Sequence, residues 1–348
     1  MTMSKSERIR LLTLGLAAGD SLGSTSEFVD REVVPELYQR MKASGWPFRH
    51  VGGGAFGWKA GEQTDDTDMA MCLVRSFAKL GTFDGADVAA EFVGWLKSFP
   101  PDIGSATRKG LSSVRSGTPW HKGGLRDFDQ NHRSAANGSL MRNGVVAGIA
   151  DSLDDGFRIS LHQSLPTHYG PLPVLCCCAQ TYLLWELLEG RLPFNGDWLA
   201  QYRASFTEWL RATPDDITKA WHSNVEPRLE EAWETLLDAD WDADSFNPFE
   251  FEFAGSDGFC LLTLQIAVWA AQWSSRGVAF PTPRGFPAEV FEKATGPMFM
   301  PIVVMIGHDA DTYGAAAGPL IAAIHGSVLA SFIEGLEAAG ELAALEFK

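Results

Sequence analysis

Apolar residues recur every three or four positions in ten stretches, 9–19, 67–80, 86–99, 145–153, 173–188, 198–212, 225–239, 259–273, 287–294 and 314–339, while few segments alternate as strands do. That period puts the apolar side chains of a stretch on one face of an α-helix, which must then be buried against other helices. Gly81, Pro100-Pro101, Gly117-Thr118-Pro119, Pro166 and Pro281-Thr282-Pro283 interrupt the pattern between stretches. The expected fold is all-α, a compact orthogonal helical globule. With 348 residues and 45% hydrophobic content the chain can bury a substantial core. No fixed-period repeat or low-complexity linker divides it, so residues 1–348 are expected to form a single domain. The acidic, aromatic stretch 238–258 is the least regular and is expected to be a loop insertion.

Composition excludes several classes. The 28 basic and 44 acidic side chains leave a net charge of −16, with no basic footprint for nucleic acid. No unbroken apolar run reaches the length of a bilayer span, since the one from Leu11 to Ala18 stops at Gly19-Asp20. The opening Met-Thr-Met-Ser-Lys lacks the pattern of a secretory leader, so no membrane association and a cytoplasmic location are expected. Five cysteines, three of them consecutive at 176–178, show neither metal spacing nor a disulfide framework and read as buried thiols.

Two short clusters carry the chemistry. Thr64-Asp65-Asp66-Thr67-Asp68 lies near one end of the chain and Asp309-Ala310-Asp311-Thr312 near the other, each at the head of an apolar helical stretch. Taken singly, either reads equally well as a helix N-cap followed by solvated acids. Taken together, Asp65, Asp66, Asp309 and Asp311 would repel one another in a cleft, and two divalent cations would balance their charge. Carboxylate and hydroxyl oxygens are hard donors, which favours Mg or Mn, and neither cluster has the form of an EF-hand loop. For the clusters to meet, the N- and C-terminal helices must pack side by side.

Other polar groups are weaker signals. Residues 15–28, GLAAGDSLGSTSEF, offer small residues that suit tight helix packing or a closely approaching ligand, and Glu27 beyond the turn is a candidate base or water-positioning group. Asn137-Gly138-Ser139-Leu140-Met141-Arg142 precedes the apolar run 145–149 and would offer free backbone N–H groups and a guanidinium to a phosphate. His168 reads equally as a ligand contact or a structural histidine, and Asp102 is an acid in the turn 101–105.

In chain order, GD-x-LG-x-x-x-E (19–27), TDDT (64–67), PDIG (101–104), NGSLMR (137–142), TH (167–168) and G-x-D-x-DT (307–312) resemble the ADP-ribosylglycohydrolase family over nearly the whole chain, and within it the bacterial, arginine-specific members. A small-residue helix ending near His325-Gly326 completes the likeness. The resemblance implies a binuclear Mg or Mn centre in the cleft of an all-α domain, hydrolysing the bond between ADP-ribose and a side chain of a modified protein, arginine first. It implies Thr64, Asp65, Asp66, Asp309, Asp311 and Thr312 as metal ligands and Glu27, Asp66 and Asp102 as catalytic carboxylates. Asp102 leads as the acid that protonates the leaving guanidine, with Glu27 the alternative. Asn137, Gly138, Ser139, Arg142, Gly104, Ser105 and His168 would surround the ADP-ribose.

Two other functions fit the same resemblance: an immunity or binding protein that occludes an ADP-ribosyltransferase, and a hydrolase of a free ADP-ribose derivative. Ala310 and His308 depart from the family pattern, where Thr and Gly are frequent. Stretches 238–258 and 280–301 are expected to form loops that set acceptor choice.

Overall fold

The computed structural model describes residues 3–46, 48–194, 196–212, 215–253 and 255–347. Among them every regular element is a helix, and strand-like pairing is confined to two isolated bridges, Gly53 with Trp58 and Ala136 with Phe259.

The centre is an antiparallel crossing of the N-terminal helix Lys5–Gly23 and the helix Ala310–His325. Gly15 faces Gly318, Gly19 faces Gly314, and Gly23 faces Ala310. A Cβ added at Gly19 would stand 2.0 Å from the Gly314 carbonyl oxygen, so the two backbones touch with no room for side chains. Tight helix packing is therefore the use made of this glycine stripe. It also joins the two ends of the chain, as the two acidic clusters require. Ala310 is fully buried, and its backbone lies in the same crossing against Gly23.

Against the helix Ala310–His325 packs the helix Pro171–Leu188. Its 18 residues have a mean hydropathy of 1.3, long and apolar enough for a membrane span, which corrects the expectation that the chain holds no such segment. The helix is apolar all round because protein surrounds it, with 78% of it buried inside the fold. Cys176, Cys177 and Cys178 lie on it as free, buried thiols.

Several boundaries differ from the periodic reading. Stretch 314–339 is not one helix: Ala310–His325 ends at Gly326, whose φ of 64° is left-handed, and two short helices, Ala330–Ile333 and Glu337–Ala344, follow. Stretch 145–153 divides into Val146–Ile149 and the start of Leu153–Ser164, whose N-terminus Ser152 caps. The helix Ser105–Arg115 escaped the pattern because its buried face, Ala106, Thr107, Gly110 and Leu111, is mostly small or polar.

The stretch 238–258 contains no helix, as expected, although Ala254 within it lies outside the described residues. It is more than a surface loop: Phe246, Phe249 and Phe253 are buried, and Phe249 packs edge-on against Trp269, Phe286 and Phe291. Stretch 280–301 likewise contains the helix Ala288–Lys293 and buries Phe280, Phe291 and Phe299. That helix agrees with the apolar period at 287–294, and in both stretches the backbone outside it is largely irregular yet carries aromatic rings into the core.

Candidate active site

Asp65 and Asp66 occupy the first turn of the helix Asp65–Leu80, whose N-cap is Thr64, its hydroxyl accepting the Asp66 N–H. Capping and site chemistry coincide here, but the acids are not solvated: Asp66 is 1% exposed. Asp20, at the end of the N-terminal helix, explains how that turn is held. Its carboxylate, fully buried, accepts from the Thr64 N–H, the Thr67 N–H and the Thr67 hydroxyl. Asp309 and Asp311 open the helix Ala310–His325, and the Thr312 hydroxyl donates to Asp66 Oδ2 at 3.3 Å. The two clusters thus meet directly. Asp102 Oδ2 accepts the Asp65 N–H at 2.8 Å, and Asn137 Nδ2 donates to Asp309 Oδ2 at 2.6 Å and to Thr263 Oγ1 at 3.0 Å.

Burial, then mutual repulsion, pushes Asp65, Asp66 and Asp311 well above the usual carboxylate range. Burial also raises Asp309, to about 6, and burial with the charges of Asp309 and Asp102 raises Glu27 to about 8. Among the described residues, Asp66 Oδ1, Asp311 Oδ1, Asp102 Oδ1 and Glu27 Oε2 are buried with no hydrogen-bond partner. Desolvated carboxylate oxygens left bare in this way are costly unless something positive meets them. An all-oxygen set of carboxylates and threonine hydroxyls fits a hard divalent cation such as Mg or Mn.

These groups line a cleft of about 240 Å³. Glu27, Asp65, Asp102, Gly104, Ser105, Asn137, Gly138, His168, Asp309, Asp311 and Thr312 all face it. Thr64 and Asp66 stand behind that wall, tied to it through Thr312. Gly138 must be small, because a Cβ there would be 2.9 Å from both His168 Cε1 and Thr107 Oγ1. His168 Nδ1 lies 2.8 Å from Thr167 Oγ1 and its Nε2 is buried without a partner. Burial and the nearby Arg142 charge lower this imidazole to about 3, so it is neutral.

Two sequence expectations are not met by this geometry. Arg142 is fully buried, with Nε on Gln163 Oε1, Nη1 on the Gly138 carbonyl, Nη2 on the Gln163 carbonyl and Thr167 Oγ1, and the guanidinium over Phe92 at 4.5 Å. Its donors are spent holding the 138 turn in shape, and it offers none to a ligand. Ser139 is likewise buried, its carbonyl accepting from Gln163. Residues 138–142 form turns followed by the 3-10 turn Asn143–Val145, so they do not open a helix onto the cleft.

The helix Ser105–Arg115 does. Gly104 caps it without a side chain, and its first internal bond runs from Arg108 N–H to the Gly104 carbonyl, leaving the N–H groups of residues 105–107 for an anion. Sequence reasoning also missed Asp20, Thr107, Phe28 and Gly258. Only Asp20 left a signal, as the acid of the Gly-Asp pair. Gly258 is brought in by the aromatic stretch, which is anchored where Phe253 stacks on His308 at 4.1 Å and Asp257 Oδ2 lies 3.4 Å from His308 Nδ1.

Comparison with known proteins bears on the family and the fold. A family model for ADP-ribosylglycohydrolase matches residues 1–346. The chain is similar to the ADP-ribosyl-(dinitrogen reductase) glycohydrolase of Rhodospirillum rubrum, 35% identical over 184 residues, which is 51% of this chain and 57% of that protein. It is also similar to the ADP-ribosylarginine hydrolase Tri1 of Pseudomonas putida (strain GB-1), 29% identical over 333 residues, 92% of this chain and 71% of that one. The alignment with the first of these relatives thus spans little more than half of its length. A solved structure described as an ADP-ribosylglycohydrolase-related protein complex superposes with a TM-score of 0.63 at 23% identity, covering 98% of this chain and 96% of that one, which establishes the shared fold.

Proposed function

The chain belongs to the ADP-ribosylglycohydrolase family, and from that premise we propose that it is a divalent-metal-dependent hydrolase that removes ADP-ribose from a modified arginine side chain of a protein. The observation that carries this reading is the meeting of Asp66 and Thr312, 246 residues apart, at the wall of a cleft in which carboxylate oxygens of Asp102, Asp311 and Glu27 are buried with no hydrogen-bond partner among the described residues. The name of the relative from Pseudomonas favours arginine as the acceptor, and that of the relative from Rhodospirillum favours a modified protein as the substrate.

Thr64, Asp65, Asp66, Asp309, Asp311 and Thr312 would hold two cations, Mg or Mn. When bound, such ions supply Lewis-acid chemistry, polarising oxygens of the ribose and of water and neutralising the carboxylates. The diphosphate rests on the free N–H groups of residues 105–107, where the helix dipole favours negative charge. Neutral His168 and Asn137 border the same wall. Cleavage at the anomeric carbon develops positive, oxocarbenium-like charge, which the surrounding carboxylates stabilise.

Asp102 gives its proton to the leaving guanidine and Glu27 positions water. The C–N bond breaks, the water oxygen bonds to the anomeric carbon, and the water proton returns to the carboxylate. Burial raises both acids, Glu27 to about 8, which favours the protonated form that a proton donor needs.

The test is release of ADP-ribose from an arginine-ADP-ribosylated protein in the presence of Mg or Mn. Asp65→Ala and Asp311→Ala should each reduce release by at least about a hundredfold while the fold is retained. No release with either metal, beside an active control, sinks the reading. Stoichiometric inhibition of a transferase in its place would favour occlusion, and release from ester-linked ADP-ribose alone would favour the free-derivative hydrolase. Asp102→Asn and Glu27→Gln separate the two acids: the variant rescued by a substrate with a better leaving group identifies the proton donor.

A further inference from the structure

Phe28 is 65% exposed and lines the cleft beside its chain neighbour Glu27 and together with Asp102. Its φ of 58° is left-handed, a conformation that a bulky side chain rarely adopts. Two backbone bonds hold it there: Phe28 N–H donates to the His308 carbonyl at 2.6 Å and His308 N–H to the Val29 carbonyl at 2.8 Å. His308 is itself left-handed, at 56°. An aromatic ring held in solvent on a strained backbone is unfavourable twice over, and core packing does not explain it. Phe56, 40% exposed, packs edge-to-face against the ring at 6.0 Å and is in turn 5.7 Å from Trp58, on a turn closed by the Gly53–Trp58 bridge. The ring is thus buttressed while remaining open to the cleft.

An aromatic ring flanked by carboxylates complements a planar, delocalised cation, which can stack on the π face while its N–H groups reach the acids. We infer that Phe28 is the platform on which the acceptor guanidinium stacks, and that it sets the preference for arginine over acceptors without a guanidinium. The inference rests on the arginine reading above and names the residue that would enforce it. An ester-linked acceptor gains nothing from the ring's quadrupole.

The experiment compares kcat/KM for an arginine-linked and an ester-linked ADP-ribose substrate in the wild type and in Phe28→Ala, Phe28→Leu and Phe28→Trp, with melting curves to confirm folding. Phe28→Ala and Phe28→Leu should each lower the arginine-to-ester ratio by about tenfold, chiefly through KM, whereas Phe28→Trp should hold it within about twofold. A ratio preserved in Phe28→Leu, or a parallel fall for both substrates, overturns the platform. If the wild type releases nothing from the arginine-linked substrate, the parent reading fails, and saturation-transfer NMR with methylguanidinium still decides this one. Transfer present in the wild type and lost in Phe28→Ala supports the stacking, and equal or absent transfer in both rejects it.

Discussion

Asp20 shows how much of the site depends on a residue that does not face it. Its carboxylate takes two backbone N–H groups and a hydroxyl from the first turn of the helix that carries Asp65 and Asp66. Asp20→Ala would leave those donors buried and unpaired, and should cost about 2–3 kcal/mol by urea denaturation and weaken Mn binding. Arg142 makes the opposite point. With every donor group used inside the protein, Arg142→Met should cost about 3–5 kcal/mol, read in the denaturation midpoint and not in KM. The Gly-Asp pair was visible in the sequence, and so was Arg142 beside Asn137-Gly138. What a guanidinium bonds to is decided by Gln163 and Thr167, more than twenty residues away in the chain, and no local pattern reveals that.

Helices with strong apolar periodicity were legible, because a stripe of Leu, Ile, Val and Phe needs no knowledge of its partner. Ser105–Arg115 was not, since its buried face is built from Ala, Thr and Gly, whose burial depends on how closely neighbours approach. The central crossing has the same character. Gly19→Ala would place a methyl group 2.0 Å from the Gly314 carbonyl oxygen and force the two helices apart. We expect a loss of about 3 kcal/mol or more on denaturation, together with loss of Mn binding by calorimetry, because Asp66 and Thr312 are carried on elements that this contact aligns. Retained metal affinity in a folded Gly19→Ala protein would show that the crossing is not what aligns the two clusters. The aromatic stretch 238–258 shows the reverse error: irregular backbone was legible, while its phenylalanines entering the core were not.

At the scale of the whole molecule, the cleft is a concentration of charge within a chain that already carries −16. Asp309, Asp20 and Glu27 are raised to about 6, 7 and 8, first of all by burial. An acid whose pKa is higher folded than unfolded holds its proton more tightly in the native state. Its contribution to stability is therefore fully present below its unfolded value of about 4, and is lost as pH rises through the folded value. The chelated protein should accordingly lose stability between about pH 4 and pH 8 from these groups. Its melting temperature in EDTA should be lower at about pH 8 than at about pH 5, and Mg or Mn should restore it most at the higher pH. Scanning calorimetry at the two pH values checks this, and identical melting with and without metal at both would remove the cation-balancing role of the carboxylates.

Local properties of residue types were determined by the sequence alone: helical period, the hardness of oxygen donors, the absence of a basic footprint, and an ordered set of motifs that names a family. Those properties travel with the residue and need no partner. The tertiary structure alone decided which polar groups face the cleft and which are spent inside. Arg142 and Ser139 turned inward, Ser105–Arg115 turned its uncapped end to the site, and Phe28 was held at the lip. Burial, bonding and charge coupling are set by distances between residues remote in the chain, and those distances exist only once the two end helices have closed on each other.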